Sequence, residues 1–274
     1  MAYAQRRRGR HQRLRQRADQ ASPDSPGQGE PSPHQSRAGG KSVTAPEGRP
    51  LLRTAVSQAE EKDRFMIKNP AFYFNSELCT GCKACMIACI DKHNLNKGVL
   101  WRRVLEYSGG EWLPVGDAYE QNVFAYYVSL SCNHCENPVC AEACPTQAMH
   151  KDENGIVSVD PDRCVGCRYC EWNCPYGAPQ FDPERKKMTK CDFCRDYLEQ
   201  GLPPSCVAAC PCRALDYGEY DELLKRYGEQ AAIAPLPGPE LTRPHFICAP
   251  NRHSKPQGST EGLRGKRISN PEEV

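Results

Sequence analysis

The sequence predicts an α+β fold made of two small modules, one inserted in the other, and three observations carry that expectation. Sixteen of the 18 cysteines fall into four runs, each closing on Cys-x-x-x-Cys. Stretches of strand-forming residues lead into the runs, and short turns separate them. Only 39% of the 274 residues are hydrophobic, so bound metal rather than a large apolar core is expected to hold the fold together.

The runs are Cys79, Cys82, Cys85 and Cys89; Cys132, Cys135, Cys140 and Cys144; Cys164, Cys167, Cys170 and Cys174; and Cys191, Cys194, Cys206 and Cys210. Three close thiolates and a fourth three residues later is the pattern with which ferredoxin-type chains hold cubane iron–sulfur clusters. Each iron of the cube takes one soft thiolate, so sixteen thiolates suffice for four 4Fe–4S clusters. In Cys-x-x-Cys-x-x-Cys a tight loop aims three sulfurs inward. The fourth cysteine lies too close along the chain to complete that cube, and in two-cluster ferredoxins it serves the other cluster. Pro145, Pro175 and Pro211 follow the fourth cysteine of runs two to four, where a short helical turn must stop. Run one has Ile90 there instead.

Run three, C-V-G-C-R-Y-C-E-W-N-C-P, matches the bacterial ferredoxin pattern at every position. Run two has four residues between Cys135 and Cys140, and run four has eleven between Cys194 and Cys206. Cys212 and Cys248 read as ordinary thiols, and His134 as a loop residue bonding near a cluster rather than ligating it. Paired Cys-x-x-Cys also builds structural zinc sites. Zinc needs only two pairs, however, and gives no reason for a third cysteine or the closing Cys-x-x-x-Cys-Pro. A disulfide framework suits small secreted domains, and no secretory signal is expected here.

Along the chain, residues 1–65 read as a disordered basic tail with 13 Lys/Arg against 7 Asp/Glu, too poor in apolar residues to offset ordering entropy. The arginines from Arg6 to Arg17 lack the aromatic or helical features of a nucleic-acid site, and no apolar segment follows them as an export signal requires. Met66 is an alternative start, so the tail is expected to play no part in function. Residues 66–233 form the cluster-bearing domain. Within it Phe72-Tyr73-Phe74 reads as a strand into run one, and 92–122 as an insertion. Phe124 to Ser131 is the clearest strand. Ala148 to Val159 reads as a hairpin with a type I′ turn at Asn154-Gly155, and Asp221 to Tyr227 as an amphipathic helix. Residues 234–274, rich in proline, read as an extended C-terminal arm. The repeat of strand, cluster loop, short helix and strand implies two ferredoxin-like 2×(4Fe–4S) modules, one within the other. Run 79–89 then pairs with run 191–210, and run 132–144 with run 164–174. No stretch reaches the 18 or so apolar residues of a membrane helix.

The layout resembles a known family. C-N-H-C-E-N-P-V-C (132–140), C-R-Y-C-E-W-N-C-P-Y-G-A-P-Q (167–180), K-C-D-F-C (190–194) and A-L-D-Y-G (214–218) are similar to the four-cluster electron-transfer subunits of membrane-bound molybdopterin oxidoreductases. The likeness is greatest to the iron–sulfur subunits of anaerobic dimethyl sulfoxide reductases. Q-N-V-F-A-Y-Y (121–127), A-P-L-P (234–237) and N-P-E-E-V (270–274) carry it further. The resemblance implies crossed ligand sets: Cys79, Cys82, Cys85 and Cys210; Cys132, Cys135, Cys140 and Cys174; Cys164, Cys167, Cys170 and Cys144; and Cys191, Cys194, Cys206 and Cys89. Some relatives have tryptophan at the position of Cys167 and hold a 3Fe–4S cluster; cysteine here implies four cubanes. It also implies a molybdopterin catalytic subunit, a quinol-oxidising integral membrane anchor, and membrane association through them after folding in the cytoplasm.

No substrate chemistry is assigned to the chain itself, since no nucleophile with its base and no phosphate-cradling loop is visible. The same type of subunit in a formate, hydrogen or other oxyanion complex is the alternative function, and a zinc-bound scaffold a distant one. Lys83 and Arg168, beside ligand cysteines, are candidates for raising cluster potentials if their charges point inward; two solvated cations are the competing reading. Protein purified without oxygen should contain about 16 iron and about 16 acid-labile sulfide, four of each per cubane. Stoichiometric zinc with little sulfide would reverse the assignment.

Overall fold

A computed structural model describes residues 67–228 and 233–259, together with the short strand at 268–269. The basic tail, the alternative start at Met66 and the closing N-P-E-E-V lie outside the described residues.

Strand β1 (Pro70–Asn75) enters directly before run one. Strands β2 (Arg103–Gly109), β3 (Trp112–Val115), β4 (Ala118–Gln121) and β5 (Phe124–Leu130) fill the interval between runs one and two. Hairpin β6 (Met149–Lys151) and β7 (Val157–Val159) separates runs two and three, and hairpin β8 (Gln180–Asp182) and β9 (Lys187–Thr189) separates runs three and four. Strands β10 (Leu215–Glu219), β11 (Phe246–Ala249) and β12 (Ile268–Ser269) complete the order. The helices are α1 (Ala84–His93), α2 (Val139–Glu142), α3 (Tyr169–Asn173), α4 (Arg195–Leu198), α5 (Ser205–Ala208) and α6 (Tyr220–Tyr227).

β1 is the centre of a three-stranded sheet, antiparallel to β10 and parallel to β11. Its side chains are buried on both faces, which is why it reads as a continuous apolar run. Phe72 and Phe74 face the main core with Phe193 and Leu215, whereas Ala71 and Tyr73 pack with Leu223 of α6 and Ile247 of β11. α6 keeps Asp221 and Glu222 in its first turn and Lys225 and Arg226 in its last, the arrangement that suits the helix dipole. The register Phe74↔Leu215 brings the start of run one beside the end of run four.

The insertion at 92–122 supplies β2, β3 and β4. β2 and β5 pair antiparallel along seven residues, with β12 on the free edge of β2. Beyond them β3 and β4 project as a fully exposed hairpin. The arm after Ala234 does more than lie over the surface. β11 is a buried strand, and the Tyr126 hydroxyl donates to the Ala234 carbonyl at 2.6 Å.

The hairpin turn differs from the type I′ expectation. That turn needs positive φ at both central residues. Gly155 has φ 86°, but Asn154 is not among the residues with positive φ. Instead the Asp152 carboxylate accepts the N–H groups of Asn154 (3.0 Å) and Ile156 (2.8 Å). This Asx turn lengthens the loop to Glu153–Gly155 and leaves only the glycine left-handed. A Cβ on Gly155 would stand 2.6 Å from Asn69 Oδ1. Gly155→Ala should therefore lower the melting temperature, with about 1–2 kcal/mol lost to the left-handed backbone alone, while iron content stays unchanged. An unaltered melting curve would show that the loop relaxes freely.

Candidate metal centre

The four runs share one backbone device. The residue before the second cysteine has positive φ in each: Gly81 (69°), His134 (44°), Gly166 (71°) and Phe193 (62°). Glycine adopts this region freely; His134 and Phe193 need packing to hold them there. Both are fully buried, their rings meet edge-on at 5.4 Å, and Phe193 stacks on Phe72 at 4.2 Å. His134 Nδ1 accepts the Val157 N–H at 3.0 Å, so this ring nitrogen anchors the loop to β7. In runs one and three Lys83 (61°) and Arg168 (66°) are also left-handed, and α1 and α3 start immediately after them.

Such loops aim N–H groups at sulfur. His134 N–H points at Cys132 Sγ, Met149 at Cys144, Ala178 at Cys174, Met188 at Cys164 and Phe193 at Cys191, all at 3.4–3.5 Å, and Ala214 at Cys210 at 3.3 Å. Donors of this kind favour the ionised, ligating form of a thiol. The prolines act as their positions suggest. α2, α3 and α5 end at or before the fourth cysteine, whereas α1, with Ile90 in place of proline, runs through Cys89 to His93.

The thiols gather across the runs. Burial pushes Cys79 up to about 11, and the charges of Cys85, Cys210 and Cys82 add to the rise. These four sulfur residues line a single pocket. Burial lifts Cys89 to about 12, with Cys206 and Cys194 reinforcing it, and Cys191 in turn feels Cys89 and Cys194. Cys135 is pushed to about 12 by burial, then by Cys132 and Cys174; Cys140 responds to the same two. Cys170 reaches about 12 through burial and the charges of Cys144, Cys164 and Cys167. Burial opposes ionisation of Cys144 too, but N–H groups from Met149, Thr146 and Ala148 outweigh it and lower its pKa. Soft four-sulfur sets of this type suit an iron–sulfur cluster or zinc. Among the described residues no cysteine is in a disulfide.

Arg168 is exposed and pairs with Glu171 at 2.6 Å, so its charge is met by a neighbouring carboxylate. Lys83 lines the pocket shared by Cys79, Cys82, Cys85 and Cys210. Other polar residues that stand close to the thiols were not read from the sequence. His93 Nε2 lies 3.3 Å from Cys194 Sγ, Ser129 Oγ lies 3.4 Å from Cys85 Sγ, and Arg102 and Lys190 are buried among the runs. Lys190, next to Cys191, carried the same signal that singled out Lys83 and Arg168. Arg102 stands seventeen residues past Cys85, and no spacing rule points to it.

Cysteine loops of this geometry define the class of iron–sulfur electron carriers. Residues 123–220 match the 4Fe-4S dicluster domain. The protein is 51% identical over 203 residues to the B subunit of anaerobic dimethyl sulfoxide reductase from Escherichia coli, covering 74% of this sequence and 97% of that protein. It is 37% identical to the B subunit of polysulfide reductase from Wolinella succinogenes, over 68% of this sequence and 97% of the relative. It is also 39% identical to the thiosulfate reductase electron transfer subunit of Salmonella typhi, over 53% and 72%. The chain belongs to the family of iron–sulfur electron-transfer subunits of dimethyl sulfoxide reductase-type complexes. Its role is electron transfer with 4Fe–4S clusters, not substrate catalysis.

Cys248 is buried in β11 and pushed up to about 12 by burial alone. Cys212 Sγ stands 3.7 Å from Thr80 Oγ1. Cys212→Ser and Cys248→Ala should each retain the full iron content of the parent protein. Loss of about four iron from either, one cubane's worth, would make that thiol a ligand.

Proposed function

We propose that this chain carries four 4Fe–4S clusters and relays electrons from a quinol-oxidising membrane anchor to a molybdopterin catalytic subunit. That subunit would reduce dimethyl sulfoxide or related sulfoxides and N-oxides. The relatives' names support the substrate class. The observation that carries the ligand reading is the pocket in which Cys210, at the end of run four, meets Cys79, Cys82 and Cys85; Cys212 lines it too, and its Sγ stands 3.7 Å from Thr80 Oγ1.

The proposed sets are Cys79, Cys82, Cys85 and Cys210; Cys191, Cys194, Cys206 and Cys89; Cys132, Cys135, Cys140 and Cys174; and Cys164, Cys167, Cys170 and Cys144. They make two nested modules. The pairing of β1 with β10 and the packing of α1 on α5 support the outer one, and the packing of α2 on α3 supports the inner one. When bound, the clusters supply one-electron redox chemistry. The chain's own residues hold them apart from water and direct N–H groups at their thiolates. Cys82 and Cys167 are exposed, whereas Cys89, Cys191, Cys194 and Cys206 are all buried. Two sets thus contain an exposed cysteine, as suits exchange with two partners. Among the described residues no helix is long and apolar enough to cross a membrane, so the proposed membrane association runs through the anchor, after cluster assembly in the cytoplasm.

Cys167→Trp should convert one cluster to 3Fe–4S, because one iron loses its thiolate, and leave the other three intact. Oxidised protein would then show a new electron paramagnetic resonance signal near g = 2, on the order of one spin per chain, as cluster type changes. An unchanged spectrum would remove Cys167 from the ligands. In the assembled complex, Cys89→Ser should abolish quinol-driven reduction yet spare activity with an artificial donor that feeds the catalytic subunit directly. Persistent quinol-driven turnover in a variant shown to lack that cluster would mean that electrons take another route.

A further inference from the structure

Two cations are buried where exposed ones would be expected. Arg102 is 1% and Lys190 2% exposed. Arg102 donates from Nη1 to Ser129 Oγ (3.1 Å) and from Nη2 to Ser131 Oγ (2.9 Å), and its guanidinium lies 4.5 Å over the Phe72 ring. Lys190 Nζ donates to the carbonyls of Val157 and Cys191, the latter at 2.7 Å. Among the described residues neither side chain pairs with a carboxylate. A charge taken fully out of water costs several kcal/mol unless an anion answers it, and carbonyls and hydroxyls answer only part.

Sulfur lies close to both cations. Arg102 reaches Cys85 through Ser129, whose Oγ lies 3.4 Å from Cys85 Sγ. Burial opposes its charge, but Cys206, Cys85, Cys191 and Cys89 hold its pKa above the ordinary value. Phe72, beneath its guanidinium, stacks in turn on Phe193 between Cys191 and Cys194, so Arg102 adjoins two of the proposed sets. Lys190 Nζ donates to the Cys191 carbonyl and to that of Val157, whose N–H meets His134 in the loop between Cys132 and Cys135, so it too adjoins two sets. Each cation therefore stands at a junction between neighbouring cluster sites.

We infer that Arg102 and Lys190 are fixed counter-cations, each shared by the two cluster sites it adjoins, and that they hold the reduction potentials of those clusters up. The inference rests on the ligand sets proposed above. A cubane with four thiolates is anionic, and each electron it accepts adds a further negative charge; net charge is one determinant of potential. A cation in a low-dielectric interior stabilises the reduced form far more than one in water. Arg168, exposed and already paired with Glu171, lacks both advantages. Lys190 and Arg102 thus act on adjacent sites with the same sign, raising both.

The test uses the full chain, purified without oxygen, with iron measured first and potentials then followed by electron paramagnetic resonance titration. In R102Q and K190Q at full iron content, the ratio of reduced to oxidised adjoining clusters at a fixed potential should fall tenfold or more, about 59 mV for one electron. R102K and K190R should titrate like the parent protein, and the cluster held by Cys164, Cys167, Cys170 and Cys144 should not move. Unmoved potentials in both neutral variants would overturn the inference, as would an equal fall in the charge-conserving ones. Should the neutral variants fail to take up iron, loading decides the matter: full iron in R102K and K190R supports a requirement for charge, and loss in all four variants overturns it. A shortage of iron in the parent protein would instead refute the ligand sets, and the iron measurement separates that result from any change in potential.

Discussion

Sulfur must be ionised to bind iron, yet this chain buries most of its sulfur. That opposition governs the structure. Burial raises Cys79, Cys89, Cys135 and Cys170 to about 11 or 12, so these thiols are protonated at neutral pH unless a metal replaces the proton. Metal binding and folding are then a single equilibrium. The backbone is shaped for it in advance: positive φ before the second cysteine turns each loop inward, and N–H groups point at Cys132, Cys144, Cys164, Cys174, Cys191 and Cys210. Two buried cations that pair with no carboxylate among the described residues complete the compensation. These act alongside the apolar core around Phe72 and Phe74.

The rest of the fold distributes these sites around β1. Its two faces serve different tasks. Phe72 and Phe74 support the core in which the cysteine runs converge, and Phe72 touches both Phe193 of run four and the Arg102 guanidinium. Tyr73 turns the other way and stacks on Tyr227 of α6 at 3.6 Å. Because β10 and β11 flank this one strand, segments distant along the chain meet at it, and the C-terminal arm becomes part of the scaffold. The β3–β4 hairpin stands outside this arrangement, with Trp112 and Tyr119 both exposed.

Much of the site was legible from cysteine spacing. Loop type and the arrest of three helices by Pro145, Pro175 and Pro211 follow from local chemistry. Even the exception was readable, since Ile90 lets α1 continue. Strands that pack on both faces, such as Phe72-Tyr73-Phe74, were visible as apolar runs. The strands of the insertion and β11 were less visible, because short strands mixed with polar and proline residues carry little periodicity. The Asn154-Gly155 turn misled for a comparable reason. The dipeptide favours one turn in isolation, but the Asp152 carboxylate two residues earlier accepts the N–H groups that decide the loop.

The sequence by itself determined which atoms are offered to metal, for ligand chemistry depends on residue type and on spacings of a few residues. Only the tertiary structure decided which cations those atoms meet. Lys83 and Arg168 neighbour cysteines along the chain, yet Arg168 turns to Glu171 and solvent. Arg102, far from any run's spacing, is carried into the interior by its place just before β2, within reach of Ser129 at the end of β5 and Ser131 just past it. Electrostatic influence falls with distance through space and with exposure to water, and neither can be counted along a chain.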